Sequence, residues 1–357
     1  MTGGIVDINS ITAKVLAGQR IDDDDYRRLA GGADLLQLGM LADSVRRRKH
    51  PQGIVSYIID RNINYTDICI SACRFCAFFK KPGEEGGYLL DEQRLAEKID
   101  ETLALGGTQI LLQGGLHPDL PFSYYEEMVR FVKSRGIALH GFSPPEIWHF
   151  SSISGKPMPE VLAALIDAGL DSIPGGGAEI LSERVRQLIA PRKCSADQWL
   201  AVMEEAHRQG LRTTATMMFG HVETAEERLE HLRRLRQLQD RSGGFTAFIP
   251  WPFQPGNSEL GESDKTSAVQ YLRMLALSRI YLDNFDNLQA SWVTQGARVA
   301  QLSLSFGAND FGSTMIEENV VAAAGVSFRL SAEEIRRLIV EAGFSPRQRL
   351  MDYTLLA

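Results

Sequence analysis

The rhythm of apolar positions changes near residue 60. Residues 1–60 are polar and read as helical, with no strand rhythm. From Asn62 onward, short apolar runs alternate with longer stretches in which apolar residues recur every three or four positions. The short runs predict strands at 62–67, 108–112, 137–140, 170–174, 213–218, 245–250, 287–292 and 304–310. Asp91 predicts a helix start, with Leu95, Ile99 and Leu103 at i+4 spacing and Gly106-Gly107 as the stop. Further helices are predicted near 122–135, 157–168 and 264–283. Thr224 and Glu227 have capping-box spacing, and Leu229, Leu232, Leu235 and Leu238 mark the buried side of the helix they open.

Strand candidates that are mostly followed by a helix imply parallel strands joined by right-handed crossovers. The expected fold class is α/β, a (β/α)8 TIM-type barrel over residues 61–320. An N-terminal helical cap would occupy 1–60 and a C-terminal extension 321–357. A six-unit open barrel is the close alternative, because the last two units are short. Chemistry in such barrels gathers at the C-terminal ends of the strands. Gly, Pro, His and acidic residues collect there: "QGGLHPD", "HGFSPPE", "PGGGAE", "MMFGHVE", "PWPFQP", "SWVTQG" and "GANDFGST" follow the second to eighth strands in turn.

Charge changes the picture little. A net charge of −7 argues against a surface built to hold nucleic acid. The basic run Arg46–Lys49 suits a helix end and the acidic run Asp22–Asp25 a helix start. No apolar stretch approaches the roughly 20 residues that span a bilayer, and Met1–Asp7 lacks a signal-peptide layout. A cytoplasmic chain with reduced thiols is therefore expected.

Three of the four cysteines fall within "CISACRFC", as Cys69, Cys73 and Cys76. An odd, clustered trio in a reducing compartment points to metal. Structural zinc takes four ligands, commonly in pairs, and no second C-x2-C is present, so a zinc site would need a distant histidine. A [4Fe–4S] cluster usually takes four cysteines, and three leave one iron with an open position, which suits catalysis. Cys194, between helix candidates, reads as a free thiol.

Cys69-x3-Cys73-x-Phe75-Cys76 resembles the signature of the radical S-adenosylmethionine (SAM) enzymes. The likeness extends over roughly residues 50–350. "GGLHPDLPFSYYEEM", "GLDSIPGGGAEI", "GHVET" and "FGANDFGSTMIEEN" resemble the branch that includes enzymes of the futalosine route to menaquinone and the deazaflavin-forming FO synthase. Within it, "HGFSPPEI" and "FIPWPFQPGNSEL" are similar to the group that cyclises dehypoxanthine futalosine. Aminofutalosine synthases are the alternative in the same branch, and a non-catalytic metal- or cluster-binding protein the alternative outside it.

The resemblance implies an oxidoreductase that forms a C–C bond, with a [4Fe–4S] cluster on Cys69, Cys73 and Cys76 and SAM as co-substrate. A 5′-deoxyadenosyl radical would take the ribose C4′ hydrogen, and C4′ would add to the benzoate ring. The partners implied are the small-molecule substrate dehypoxanthine futalosine and an electron donor such as flavodoxin or ferredoxin, with no nucleic acid and no membrane. Phe75 is expected to cover the cluster or the adenine, and Phe78 to offer adenine a backbone contact. Gln113, Gly114 and Gly115 would approach the methionine end of SAM, although the acid of the Gly-Gly-Glu found there in many relatives is displaced. Ser143 and Glu146 face the same mouth, or else begin a helix at Pro144-Pro145. Gly176, Glu179 and Arg184 are candidates for the SAM ribose. His117, Glu146 and His221 are the candidate bases, with His140 and His149 at the same rim. Trp251, Phe253 and Trp292 could wall in an aromatic ring, and Asn309 and Asp310 could meet substrate hydroxyls.

Overall fold

In the computed structural model the described residues are 8–261 and 265–356, so the chain start at 1–7 and residue 264 of the helix expected at 264–283 lie outside them. The strands are β1 Ile54–Ile58, β2 Asp60–Asn64, β3 Gln109–Gln113, β4 Ala138–Gly141, β5 Ser172–Ile173, β6 Arg212–Phe219, β7 Phe245–Pro252, β8 Asn287–Leu288, β9 Asp310–Ser313 and β10 Ser345–Gln348. β2 to β8 pair in chain order as one parallel seven-stranded sheet, and β10, β1 and β9 form a second. β9 joins the two. On one side Asn309 N donates to Leu288 O and Ala290 N to Asp310 O, at 3.1 and 2.9 Å. On the other, Thr314 N donates to Ile58 O and Ile316 N to Asp60 O, at 2.9 and 3.1 Å. The curled sheet thus closes into a ring of parallel strands in which β1 and β2 share one stave.

Two expectations need correction. Residues 1–60 are not wholly helical, because Ile54–Ile58 is a strand. Four of its five residues are buried, so "IVSYI" shows a continuous run without the alternation that marks a half-exposed strand. The eighth strand lies further along than 304–310. Leu304–Phe306 is a 3-10 turn, and Gly307 then takes a left-handed φ of +99° before β9 begins at Asp310. Arg279 fixes that turn by donating from Nε to Gly307 O at 2.7 Å.

Elsewhere the local chemistry places the helices as expected. Asp91 accepts from Arg94 N at 2.7 Å and caps helix Glu92–Ala104, which stops at Gly106 with φ +79°. Glu227 N donates to Thr224 Oγ1 at 3.2 Å and Thr224 N to Glu227 Oε2 at 2.8 Å, opening helix Ala225–Ser242 with Leu229, Leu232, Leu235 and Leu238 buried. Asp22 caps helix Asp23–Gly32, and Arg46 to Lys49 form the last turn of helix Leu35–Lys49. These cap helices dock on the outer helices: Arg273 donates to Ala30 O and Ala33 O, both at 2.9 Å. Among the described residues no helix is long and apolar enough to cross a membrane.

The ring's interior departs from the usual barrel. Interiors of this kind are commonly packed with layers of branched aliphatics. Here Asp60, Asn62, Gln109 and Gln113 point inward, while Ile63, Ile110 and Leu112 alternate outward and are fully buried against the helices. The result is a chamber of about 280 Å³. Its floor is closed by the segment after β10, where Arg349 enters the ring and pairs with buried Asp310, itself held by Ser56 Oγ at 2.6 Å.

Candidate active site

The cysteine loop leaves the C-terminal end of β2 and is stitched to its surroundings through the backbone. Ile70 N donates to Leu116 O at 3.0 Å, Cys69 N to Lys80 O at 2.9 Å and Arg74 N to Ile189 O at 2.8 Å. All four cysteines are free thiols. Donors face the sulfurs of the trio. Ser71 N and Leu116 N lie 3.4 and 3.3 Å from Cys69 Sγ, and Ser71 Oγ lies 3.2 Å from Cys73 Sγ. The amides of Phe78 and Phe79 serve Cys76. In the protein alone, burial pushes the Cys73 thiol up to about 11 and raises Cys76 as well, so thiolates there need a cationic partner. Among the described residues no group of three His, Cys, Asp or Glu converges on a point that a single ion could fill. A cubane takes each thiolate on a different iron, and three sulfurs on one loop, each with a donor, fit such a group.

Two glycines make the loop's seat possible. A Cβ on Gly115 would lie 2.2 Å from Ile68 O and 2.9 Å from Cys69 Cβ. A Cβ on Gly114 would fall 2.4 Å from the Tyr65 ring. Both glycines are therefore used by the packing of the loop itself.

Glu146 braces the same region. Its Oε1 accepts from Tyr65 Oη at 2.8 Å and Gly114 N at 3.0 Å, and its Oε2 accepts from Ser143 N and Ser143 Oγ, both at 2.7 Å. Burial raises its pKa, and the four donors oppose that shift. Ser143 and Glu146 form the capped start of helix Pro144–Ser154, one of the two placements the sequence left open.

Beside the loop stands a second cluster. Lys193 Nζ lies 2.9 Å from Glu179 Oε1 and 5.3 Å from the centre of the Phe75 ring. Glu179 Oε2 is buried without a hydrogen-bond partner among the described residues, and the residue holds a left-handed φ of +39°. Its carbonyl accepts from Met218 N at 3.0 Å, which ties it to β6. Gly176 and Gln113 both border the chamber, and a Cβ on Gly176 would meet Gln113 Nε2 at 2.5 Å. The Phe78 ring meets Tyr88 edge-on, 6.4 Å between centres. Lys193 carries no mark in the sequence, since one lysine in a loop of "PRKC" resembles any other.

Several expected residues sit elsewhere. Arg184 lies on the outer face, half-exposed, with Nε and Nη2 on Glu227 at 2.8 and 2.6 Å, which takes it out of the chamber. Asn309 Oδ1 accepts from Leu288 N at 2.9 Å and from Arg279, and Asp310 holds Arg349, so both belong to the frame. Phe253 packs edge-on to His221 at 6.0 Å, whereas Trp251 and Trp292 do border the chamber. His117 Nδ1 accepts from Asp119 N at 3.2 Å. His149 Nε2 lies 2.9 Å from His117 O. His221 has Nε2 3.1 Å from Met218 O and Nδ1 3.2 Å from Glu223 Oε2. None of His117, Glu146 and His221 is among the residues lining the chamber; Asp60, His140 and Glu318 are. Burial pushes Asp60 up to about 6, against the hydrogen bonds from Ser313 and Gln109. Burial, helped by Arg349, pushes His140 down to about 3.

Comparison with known proteins places this geometry. A profile of the Radical SAM superfamily matches residues 63–235, and one described as the CofH/MqnC C-terminal region matches 242–357. The cyclic dehypoxanthine futalosine synthase of Halalkalibacterium halodurans is 44% identical over 351 residues, 98% of this chain and 95% of that one. That of Streptomyces coelicolor is 45% identical, over 97% and 88% of the two chains. Aminodeoxyfutalosine synthase of Thermus thermophilus is 44% identical, over 95% and 93%. Among solved structures, methylornithine synthase superposes with a TM-score of 0.73 at 19% identity, covering 94% of this chain and 97% of its own, which speaks for the fold alone.

Proposed function

The chain belongs to the radical SAM superfamily, in the group that includes the cyclic dehypoxanthine futalosine synthases, and from that premise we infer that it cyclises dehypoxanthine futalosine in menaquinone biosynthesis. The observation that carries the reading is the three-cysteine loop seated at the mouth of a hollow ring lined by polar side chains of β2 to β4 and, among others, by Trp251 and Trp292. When bound, the cluster and SAM supply the 5′-deoxyadenosyl radical that removes the ribose C4′ hydrogen, after which C4′ bonds to the benzoate ring.

Everything else falls to the chain. Cys69, Cys73 and Cys76 would hold three irons, with the Ser71 and Leu116 amides and the Ser71 hydroxyl steadying the sulfurs. Phe75, the Phe78 backbone, Gln113, Gly114, Gly115, Ser143, Gly176 and Glu179 flank the position of SAM, and Lys193 replaces Arg184 as the charged partner there. The chamber walls would limit the access of water and stray hydrogen donors to the radical while holding the two reacting carbons together. Ring closure expels one proton and one electron from the arene, and that electron would balance the one the reduced cluster spends on cleaving SAM. Of the three expected bases, Glu146 has both oxygens engaged, His221 has both nitrogens beside acceptors and His117 has its Nδ1 lone pair on Asp119 N, and none of the three borders the chamber, so the proton is assigned to none of them. An external one-electron donor such as flavodoxin or ferredoxin, and a cytoplasmic setting that keeps the thiols reduced, complete the reading.

The test is anaerobic incubation of reconstituted protein with SAM, a reductant and each of two substrates, dehypoxanthine futalosine and the enol ether used by aminodeoxyfutalosine synthases. A product two hydrogens lighter than dehypoxanthine futalosine supports the reading. Turnover of the enol ether alone overturns it.

A further inference from the structure

The chamber's two walls differ in kind. On the side of β2 to β4, Asn62 and Gln109 border it, both residues are buried, and neither Asn62 Oδ1 nor Gln109 Oε1 has a hydrogen-bond partner among the described residues. The Gln109 amide is oriented by its other end, since Nε2 donates to Asp60 Oδ2 at 2.6 Å. Its oxygen is therefore the unused atom. Buried acceptors in folded proteins are rarely left unmet.

His140 adds a third acceptor through a proton count. Its Nδ1 lies 2.8 Å from Ser172 Oγ, and that hydroxyl donates its single proton to Arg212 O at 2.7 Å. Nδ1 must then carry the hydrogen, and Nε2 presents a lone pair. Sheet register brings the three acceptors together. Asn62 and His140 both pair with Leu111, from opposite sides, so they stand at one height on strands about 10 Å apart. Gln109 points the same way as Leu111, one inward step below it. The facing wall carries Ile249, Trp251 and Trp292, with the smaller polar residues Thr214, Thr216 and Ser291 beside them.

A wall of bare acceptors calls for a ligand that brings hydroxyl hydrogens, and the opposite wall calls for an apolar ring. We propose that Asn62, Gln109 and His140 form the sugar-binding wall of the chamber, taking the ribose hydroxyls of the substrate while its arene lies against Trp251 and Trp292. The proposal rests on the cyclase reading. It also fixes an orientation: the sugar lies along the strands whose upper ends carry the cysteine loop and Gln113, and the arene lies across the ring from them.

Calorimetric titration separates this from the function itself. Reconstituted wild type, Asn62→Leu and Gln109→Met would be titrated with dehypoxanthine futalosine and with its 2′,3′-dideoxy analogue. Wild type should prefer the parent by about tenfold for each hydrogen bond lost. Each variant should bind the parent about tenfold more weakly and the dideoxy analogue unchanged, so the preference shrinks. Wild type binding both compounds alike, or a folded variant keeping the full preference, overturns the proposal. Should Asn62→Leu not fold, Gln109→Met decides alone, since its thioether keeps the length of the chain but offers only a weak acceptor. Wild type that makes no cyclic product overturns the function reading, whereas product formation with an undiminished preference in the variants overturns the sugar wall only.

Discussion

Lys193 and Glu179 form a buried ion pair of 2.9 Å at the edge of the cysteine loop, their side chains 14% and 6% exposed. Removing Lys193 leaves Glu179 only the longer contact of Oε2 with Arg186 Nη1 at 3.7 Å, so the cost stays below the about 3 kcal/mol of a fully orphaned buried charge. Lys193→Met should therefore melt earlier than wild type. It should also bind SAM about tenfold more weakly in equilibrium dialysis while retaining full iron content. Unchanged SAM affinity would make the pair a purely structural brace.

Gly115 is where the two loops touch, and the contact leaves no room for a methyl group. Gly115→Ala should push the Cys69 strap away and lower iron incorporation severalfold, with circular dichroism still reporting the barrel. An alanine variant that reconstitutes to wild-type iron and sulfide would show that the strap tolerates displacement.

Cys194 lies outside the trio. Its carbonyl accepts from Arg186 Nε at 2.9 Å, and burial pushes its thiol up to about 11, which makes it an inert side chain. Cys73→Ala should abolish deoxyadenosine release, whereas Cys194→Ala should leave iron content and turnover within about twofold of wild type, given the small volume change. Loss of the cluster in the second variant would contradict a three-thiolate site.

Asp60 predicts a pH signature. Its folded pKa is about 6 against 3.8 for the free side chain, because burial favours the neutral acid. Between pH 4 and 6 the unfolded chain has released this proton and the folded one has not. Stability from this group is thus fully present below about pH 4 and is lost as pH rises through about 6, by about 3 kcal/mol in all. The difference in unfolding free energy between wild type and Asp60→Asn should fall across that window and level off above it. A difference that stays flat or rises would mean that Asp60 is ionised within the fold.

Much of the fold is legible in the sequence because the helices carry their own punctuation, such as Asp91 with Gly106 and Thr224 with Glu227. β1 escapes, since a short strand buried on both faces shows no alternation and sits directly after a helix. β9 is displaced because a strand and the turn before it share one run of small and apolar residues, and the turn is placed by Arg279 on Gly307 O together with Ala308 N on Ser303 O. At the site the cysteines announce themselves by spacing. Lys193 and Arg184 do not, because which neighbour a loop or helix side chain meets is set by tertiary packing. The acceptor wall left a partial trace: "DRNIN" has Asp60, Asn62 and Asn64 at alternate positions, whereas "QILLQ" interrupts the same rhythm with Leu111 between Gln109 and Gln113.

The account stands most directly on the product of one anaerobic reaction. Reconstituted enzyme given SAM, a reductant and dehypoxanthine futalosine deuterated at C4′ should release deoxyadenosine carrying the deuterium, together with a cyclic product that has lost it. Deoxyadenosine without deuterium, or labelled substrate recovered unchanged while the enol ether is consumed, would contradict the assignment.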